Sequence, residues 1–520
     1  MKRNKRSVYR FLLVVMGLFL IGIYTTHLNA NPIEKPIVPK QNKTLVVIGF
    51  DVEDYVTPAS EGVDDIPMWL ADIMTEEGVT GTFFVIGEKA RSLEERGRKD
   101  IIQAMARHDI GSHTDLGSIH PTITEILENA DWEEGVAQMR GQESRGFREL
   151  ERIFGKSVST LGRHGGSYGP QLVAALAGMG AGFVYSPVRL PNHNAVWFCN
   201  ALNFYGSYGG FDDNYYRNDL FDPLLVDLEQ RFPKDIQDVD VLTFFACHPC
   251  KIRTVQFWDF NYYKGANPGP ELLKMPELRP AETMVTARDN FRRLIRFLKK
   301  RQDIEIATFS DVMKKFSYQM ESITQMKLAE IATRILAEKK VVIDDFYSPA
   351  EVFYALVESI IEFEVSGDLP KNVARQSPFG PVLNPIVQPE VKRISNARAF
   401  DLAHYARAFI RIRNTLPHWL KLDDKRIGTG SLLALFSEMF LSLRADSVPE
   451  EFIILPFDAY PNDNLEAIVK SVEGCKSWPV HREDLDMTHL VEMTKMQMWT
   501  LKPAFRTEKE SFEILPILWY

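Results

Sequence analysis

Residues 44–50 (TLVVIGF) are the stretch that decides the fold. The run is continuously apolar and rich in β-branched residues, which is typical of a strand buried on both faces. It leads directly into an acidic segment, Asp51-Val52-Glu53-Asp54. We therefore expect a central strand that ends in carboxylates.

A second apolar run lies at residues 81–86 (GTFFVI). The segments on both sides of it alternate between strand and helix patterns. Short connections between such elements indicate parallel pairing. The fold class is therefore predicted as α/β, with a barrel-like or doubly wound sheet over residues 43–316. The other predicted strands are 109–113, 159–163, 182–186, 241–247 and 304–308, and the predicted helices are 67–77, 88–107, 171–179 and 286–301.

The pattern changes to long amphipathic stretches at 323–339 and 349–363, which predict a mostly α-helical C-terminal domain over residues 317–520. Within it, residues 355–373 echo residues 402–420. Each copy is a helix, a polar turn and a Leu-Pro pair. Two copies indicate a pair of repeat units, with a chance similarity of two helix ends as the alternative.

The amino terminus has the charge pattern of an export signal. Residues 1–10 carry five basic side chains and no acid, and the next 14 residues, 11–24, are uncharged. That apolar run is shorter than the roughly 20 residues that span a bilayer. Residues 1–30 are predicted to be a signal peptide cleaved after Leu28-Asn29-Ala30, or an uncleaved membrane anchor, with a linker at 31–42. Either way the protein is exported, to the periplasm or the extracellular space.

The composition excludes several classes of protein. With 45% hydrophobic and 25% charged residues among 520, the chain is neither disordered nor collagen-like. A net charge of -9 argues against nucleic-acid binding, and a membrane is expected as a partner only through the N-terminal segment. The four cysteines are too few for a disulfide scaffold, and buried thiols are favoured over a local Cys247–Cys250 disulfide.

Chemically capable side chains follow the predicted strands. Asp51 and Glu53 lie at the end of the first predicted strand, and His113 lies at the end of the third. Arg163 ends the predicted strand 159–163, and His248 follows the predicted strand 241–247. In parallel α/β folds the active site forms where strands end and loops begin. Each residue alone has an ordinary structural reading as part of a polar loop, but their order along the chain favours one shared site.

The same motifs resemble those of the NodB-homology polysaccharide deacetylases, carbohydrate esterase family 4. The resemblance covers roughly residues 44–316, and TFFVIG followed by HDIGSHT is its most specific part. The motifs are GFDVEDY (49–55), TGTFFVIG (80–87), ARHDIGSHTDLGSIHP (106–121), GRHGGSYG (162–169) and TFFACHP (243–249). The resemblance implies a distorted (β/α) barrel that removes N-acetyl groups from sugars with a divalent metal, most often zinc.

The resemblance also implies roles for three residues outside the metal set. Asp51 matches the catalytic base, and Arg163 matches the arginine that orients this base. His248 matches the histidine that protonates the leaving amine. These roles suit the chemistry, since amide hydrolysis requires one group to accept a proton from water and another to protonate the departing nitrogen.

For the metal, the resemblance implies one acid, either Glu53 or Asp54, and His113 as the first histidine. The second histidine is normally four residues further on, but that position is Gly117 here. His120 is the expected substitute, with Asp115 a poorer candidate. Without such a substitute the metal would be held by only two protein groups.

The segment after Arg163 is the expected place for substrate binding. Gly165 and Gly166 let the backbone approach a ligand closely, and Tyr168 follows them. The expected function is an exported, metal-dependent deacetylase of an N-acetylated polysaccharide, peptidoglycan or a chitin-like polymer. The alternative, which Gly117 motivates, is a catalytically degenerate glycan-binding protein.

Overall fold

The computed structural model describes residues 43–237 and 239–507. The predicted leader (1–30), with its apolar segment at 11–24, and the linker (31–42) lie outside these residues. None of the helices in the described ranges combines the length and apolar character that crossing a bilayer requires.

Strand β1 carries the apolar run of the sequence and is buried along its whole length. It pairs in parallel with β2 and β9, as expected for a strand covered on both faces. The strands are β1 Thr44–Val52, β2 Thr82–Val85, β3 Asp109–Ser112, β4 Thr160–Gly162, β5 Gly182–Ser186, β6 Ala195–Phe198, β7 Ala201–Tyr205, β8 Tyr208–Gly209, β9 Val241–Cys247, β10 Ile304–Ala307, β11 Ser322–Thr324, β12 Asn372–Ala374, β13 Arg393–Ser395, β14 Trp419–Leu422, β15 Lys425–Gly428, β16 Glu451–Ile453 and β17 Lys502–Pro503.

Eleven strands of the described chain form one sheet in the order β17-β6-β7-β5-β4-β3-β2-β1-β9-β8, with β10 beside the first half of β1. All pairs are parallel except β6 with β7 and β6 with β17. The sheet curls into a half-barrel. The predicted α/β class with a distorted (β/α) barrel is therefore confirmed.

The four helices predicted within the barrel are present, one of them with a break, whereas Trp132–Phe154 and Asn218–Asp235 are helices that were not predicted. The expected helix 88–107 is interrupted at Gly97, whose φ of 70° lies in the left-handed region. The helices are α1 Asp65–Glu77, α2 Gly87–Glu95, α3 Lys99–Met105, α4 Ile123–Leu127, α5 Trp132–Phe154, α6 Pro170–Gly178, α7 Asn218–Asp235, α8 Thr283–Lys300, α9 Phe309–Phe316, α10 Gln325–Glu338, α11 Pro349–Ser366, α12 Asn396–Arg413, α13 Thr429–Arg444, α14 Leu465–Glu473 and α15 Thr488–Gln497.

The region after α9 is mostly helical and has a hydrophobic core of its own, formed by α10 to α13. It contains two units in which a pair of short strands flanks two helices, since β11 pairs with β12 and β13 pairs with β16. In the second unit the β14–β15 hairpin lies between the two helices. The Leu-Pro pairs lie at different places in these units: Leu369-Pro370 lies between α11 and β12, whereas Leu416-Pro417 precedes β14. The unit that repeats is thus larger than the one read from the sequence.

The chain then returns to the barrel. Apolar residues of α14 and α15 belong to the same core as β1 and β2, and β17 adds an antiparallel edge to the main sheet beside β6. A buried ion pair between Lys502 and Glu351, at 2.8 Å, joins this last strand to α11. Residues 465–503 therefore contribute to the barrel's structure.

A buried ionic cluster fixes the loop that follows β3. Asp115 accepts hydrogen bonds from Arg91 Nη1 at 2.8 Å and from Arg145 Nη2 at 2.6 Å. The backbone N–H of Asp115 donates to Glu143 Oε2 at 3.2 Å. Burial, together with the charge of Asp115, raises the pKa of Glu143 to about 8. Glu143 therefore keeps its proton at neutral pH.

We predict that Glu143→Gln removes part of the pH dependence of folding stability. Between the ordinary pKa of 4.5 and the folded value of about 8, the unfolded chain loses this proton and the folded chain keeps it. The free energy of unfolding of the natural chain should therefore fall as pH rises, by on the order of 4 kcal/mol from this group. Urea unfolding at the two ends of this pH range measures the effect, and an equal pH dependence in both proteins would refute it.

Candidate functional site

Three strand ends bring a carboxylate and two histidines to one point. Glu53 follows β1, His113 follows β3 and His164 follows β4. The ligand atoms of these three buried side chains all lie within 4.8 Å of one another. Glu53 Oε1 is 3.0 Å from His113 Nε2 and 3.3 Å from His164 Nδ1. A second group, which shares Glu53, contains Asp51 and His248.

The hydrogen bonds around Glu53 and His113 leave one atom of each facing the common point. His113 Nδ1 lies 2.9 Å from the carbonyl oxygen of Gly162, and since a carbonyl only accepts, Nδ1 donates and Nε2 is left for a ligand. Trp258 Nε1 donates to Glu53 Oε2 at 3.0 Å, which leaves Oε1. Second contacts of this kind orient the side chains that hold a metal.

His164 supplies the clearest sign of a cation site. Its Nε2 is 2.9 Å from the hydroxyl of Ser118, while its Nδ1 is buried without a hydrogen-bond partner. Burial lowers the pKa of His164 despite the nearby charge of Glu53, so the ring is neutral, which is the form that binds metals.

The residues fit a divalent metal. Two histidines and one glutamate are a common zinc set that leaves a position open for water or substrate. Ligands about 2.0 to 2.1 Å from a tetrahedral centre lie about 3.3 Å apart, close to the observed separations. Of the two groups, Glu53, His113 and His164 are the better candidate set for a metal, because Asp212 favours the charged form of His248.

His248 forms a charged pair with Asp212. Its Nδ1 is 2.8 Å from Asp212 Oδ2, and its backbone N–H donates to Asp212 Oδ1 at 2.7 Å. Burial opposes the charged form, but Asp212 and Glu53 outweigh it and raise the pKa of His248 to about 10. The ring is 21% exposed, and its Nε2 lies 3.8 Å from Asp51 Oδ2. The side chain is thus a proton donor that faces the site.

Asp51 and Glu53 are two carboxylates with different environments. Burial raises the pKa of Asp51, and the charges of His113 and His248 offset this only in part. Burial also opposes ionisation of Glu53, but the charges of His164 and His248 and a hydrogen bond with His113 hold its pKa well below its usual value. Such a separation is typical of a proton-accepting acid beside a permanently charged one.

The structure places two predicted metal candidates elsewhere. Asp54 turns back on its own loop, where Oδ1 accepts from the backbone N–H groups of Val56 and Thr57 and Oδ2 from the Thr57 hydroxyl. His120 has both ring nitrogens engaged, at 2.7 Å from Glu125 Oε2 and 3.0 Å from the carbonyl of Tyr262. These contacts correct the expectation that Asp54 or His120 joins the metal ligands.

Gly117 explains why no ligand comes from its position. Its φ is +60°, and a Cβ there would lie 2.9 Å from the Ile86 side chain. A histidine at this place would be strained and would collide with the core. The second histidine beside Glu53 is His164, which comes from a different loop. The sequence signal was present, since His164 directly follows Arg163 at the end of a predicted strand.

Arg163 and the glycines after it are also placed differently from the expectation. Arg163 Nε donates to the carbonyl of Tyr185 at 2.9 Å and Nη1 to Cys475 Sγ at 3.2 Å. The Asp51 carboxylate accepts its hydrogen bond from the Tyr185 hydroxyl instead, at 3.3 Å. Arg163 can therefore orient Asp51 only indirectly, through Tyr185. Arg163 and Asp51 line the same cavity.

The three predicted substrate-binding residues contact the protein's own chain. A Cβ on Gly165 would lie 2.2 Å from the ring of Trp478, and one on Gly166 would lie 2.3 Å from the carbonyl oxygen of Cys475. Tyr168 is fully buried, with its hydroxyl 3.2 Å from Thr494. The expectation that a sugar approaches these glycines is corrected, because a C-terminal segment fills that space.

The four cysteines are buried free thiols, as the sequence analysis favoured.

Comparison with known proteins gives structural likeness without sequence matches. No protein-family model matches the chain, and no curated protein matches it. A protein from Mycobacterium smegmatis that is provisionally assigned as a polysaccharide deacetylase is 18% identical, with a TM-score of 0.35 over 54% of this chain and 92% of its own. A family 4 carbohydrate esterase pseudoenzyme from Bacillus anthracis is 14% identical, with a TM-score of 0.30 over 52% of this chain and 66% of its own. The Bc1960 peptidoglycan N-acetylglucosamine deacetylase is 15% identical, with a TM-score of 0.28 over 52% and 88%.

Proposed function

We propose that the chain is a metal-dependent hydrolase that removes N-acetyl groups from a polysaccharide, peptidoglycan or a chitin-like polymer. The observation that carries this is the set of Glu53, His113 and His164, beside a carboxylate and a charged histidine. These are the parts that hydrolysis of an unactivated amide requires.

Glu53, His113 and His164 would hold the metal, and zinc fits the donor set best. When bound, such an ion polarises the amide carbonyl and a water molecule. The chain's own contribution is to aim one nitrogen of each imidazole at one point. Gly162 and Ser118 do this through their hydrogen bonds to the two rings.

Asp51 acts as the base. One carboxylate oxygen is held by the Tyr185 hydroxyl, and the other lies 3.6 Å from His113 Nε2 and 3.8 Å from His248 Nε2. A water between these groups gives its proton to Asp51 while its oxygen attacks the amide carbon. His248, oriented by Asp212, then protonates the nitrogen as the C–N bond breaks, so the products are acetate and a free amine.

The proposal includes a location for the reaction outside the cytoplasm. The basic and apolar segment in residues 1–24 supports export to the periplasm or beyond, where structural polysaccharides are found, with or without a remaining membrane anchor. Peptidoglycan and chitin-like polymers both carry N-acetyl groups and are the substrates to test.

Metal removal is the experiment that tests the proposal. A chelator should abolish acetate release from N-acetylated chito-oligosaccharides and from peptidoglycan, and zinc or cobalt should restore it. Zinc should also stabilise the fold, by about 2.7 kcal/mol at a hundred times the dissociation constant, because it binds the folded state alone. Calorimetry with and without zinc measures this second effect.

The outcomes separate the two candidate functions. Undiminished acetate release after complete removal of metal would refute a metal-dependent mechanism. If the protein is stabilised by zinc and binds glycans but releases no acetate, it is instead a catalytically degenerate glycan-binding protein.

A further inference from the structure

Residues 475–482, which we call the strap, cross the metal-binding end of the barrel. The backbone N–H groups of Lys264 and Gly265 donate to the carbonyls of Pro479 and Val480 at 2.8 and 3.0 Å. At the far end, the backbone N–H of Arg482 donates to Glu125 Oε1 at 3.0 Å. The strap is thus fixed to the loops that surround the metal ligands.

The strap fills the space on one side of the metal group. The ring of Trp478 packs edge-on against that of His164, with 5.0 Å between centroids. Val480 is fully buried in a small apolar cluster with Trp258 and Tyr262. The positive φ of Gly165 and its missing Cβ are what allow Trp478 to come so close. A ligand that approached His164 from this side would have to displace the strap.

Asp51 and His248, which lie beside the group, open into a cavity of about 290 Å³. Asp51 and His248 line it together with Arg163, Tyr185 and Tyr205. Ser471, at the end of α14 and just before the strap, closes one edge. Pockets for drug-sized ligands range from about 300 to 1,000 Å³, so this cavity is at the small end and suits one sugar unit.

On the premise of the deacetylase function, we propose that the site accepts only the terminal N-acetylated sugar of a glycan. An internal unit has a neighbour on both sides, and its chain must leave the site in two directions. Here the direction beyond His164 is occupied by Trp478 and Val480. A terminal unit has one neighbour and can enter the cavity from its open side alone.

The product pattern tests the proposal. The zinc-loaded natural protein is incubated with chito-oligosaccharides labelled at the reducing end, and fragment mass spectrometry locates the free amines. We expect one amine per chain, at a terminal unit, whatever the length of the oligosaccharide. Amines at internal units would overturn the terminal-unit proposal and leave the deacetylase function intact. Absence of acetate from every oligosaccharide, with zinc bound, would overturn the deacetylase function and the present proposal with it.

A strap variant tests the physical cause. Trp478→Ala should open the blocked side, so that internal amines become the larger share of the product, with zinc stoichiometry measured alongside. Trp419→Ala is the matched control, because Trp419 lies on the β14–β15 hairpin and should leave the pattern terminal. A terminal pattern in folded, zinc-loaded Trp478→Ala would show that the strap does not set it. Should that variant not fold, the pattern of the natural protein decides.

Discussion

Asp51→Asn should lower the rate of acetate release by about a hundredfold to ten-thousandfold, the usual contribution of a positioned base. The amide oxygen of asparagine can still accept the hydrogen bond from the Tyr185 hydroxyl, so the local structure is kept. It cannot take a proton from water. Zinc affinity should stay nearly unchanged, because Glu53, His113 and His164 are untouched. Steady-state kinetics and zinc titration of the same preparation measure both effects.

Asp54→Asn is the matched control for this experiment. Its Oδ1 would still accept from the backbone N–H groups of Val56 and Thr57, and the Thr57 hydroxyl can turn to accept from the new amide. We expect nearly normal activity and zinc affinity. If Asp54→Asn abolished zinc binding and Asp51→Asn were fully active, the assignment of both carboxylates would be wrong.

His164→Ala should weaken zinc binding by more than about a hundredfold, since even partners outside the direct ligands contribute about tenfold to a hundredfold. The variant would leave Glu53 and His113 as the remaining protein ligands. Competition titration with a coloured zinc chelator measures the loss without relying on activity. Ser118→Ala, which removes the partner of His164 Nε2, should give a smaller loss of about tenfold.

His120→Ala is the control for the histidine experiment. Both nitrogens of His120 are used by Glu125 and Tyr262, so zinc affinity should not change. The reverse result, with weak binding after His120→Ala and normal binding after His164→Ala, would restore the ligand set expected from the sequence.

Much of the barrel could be predicted because its signals are local. The run at 44–50 marks a strand by its composition alone, and the structure extends it only to Val52. Strands at 182–186 and 241–247 have the predicted bounds. The break at Gly97 was missed, because an isolated glycine inside a helical pattern can be tolerated without ending the helix.

The candidate site was predictable only in part, because a ligand set depends on where loops lead. Asp51, Glu53, His113 and His248 each follow a strand, and strand ends meet by topology. His164 follows a strand as well. Its place as the second histidine depends on the backbone conformation at Gly117, and no local sequence pattern reveals that conformation. The strap could not be predicted from local sequence patterns, because its contacts are distant in sequence. Cys475, for example, contacts Arg163 across 312 residues.

The return of the chain to the barrel has a consequence for biosynthesis. Ser471 and Trp478 emerge from the ribosome after strands β1 to β10 and both helical units. Until they dock, His164 lacks its contact with Trp478 and the cavity lacks Ser471. The candidate site is thus completed only after the C-terminal segment has docked, and a chain cut short before residue 471 would carry the chemical groups in an incomplete cavity.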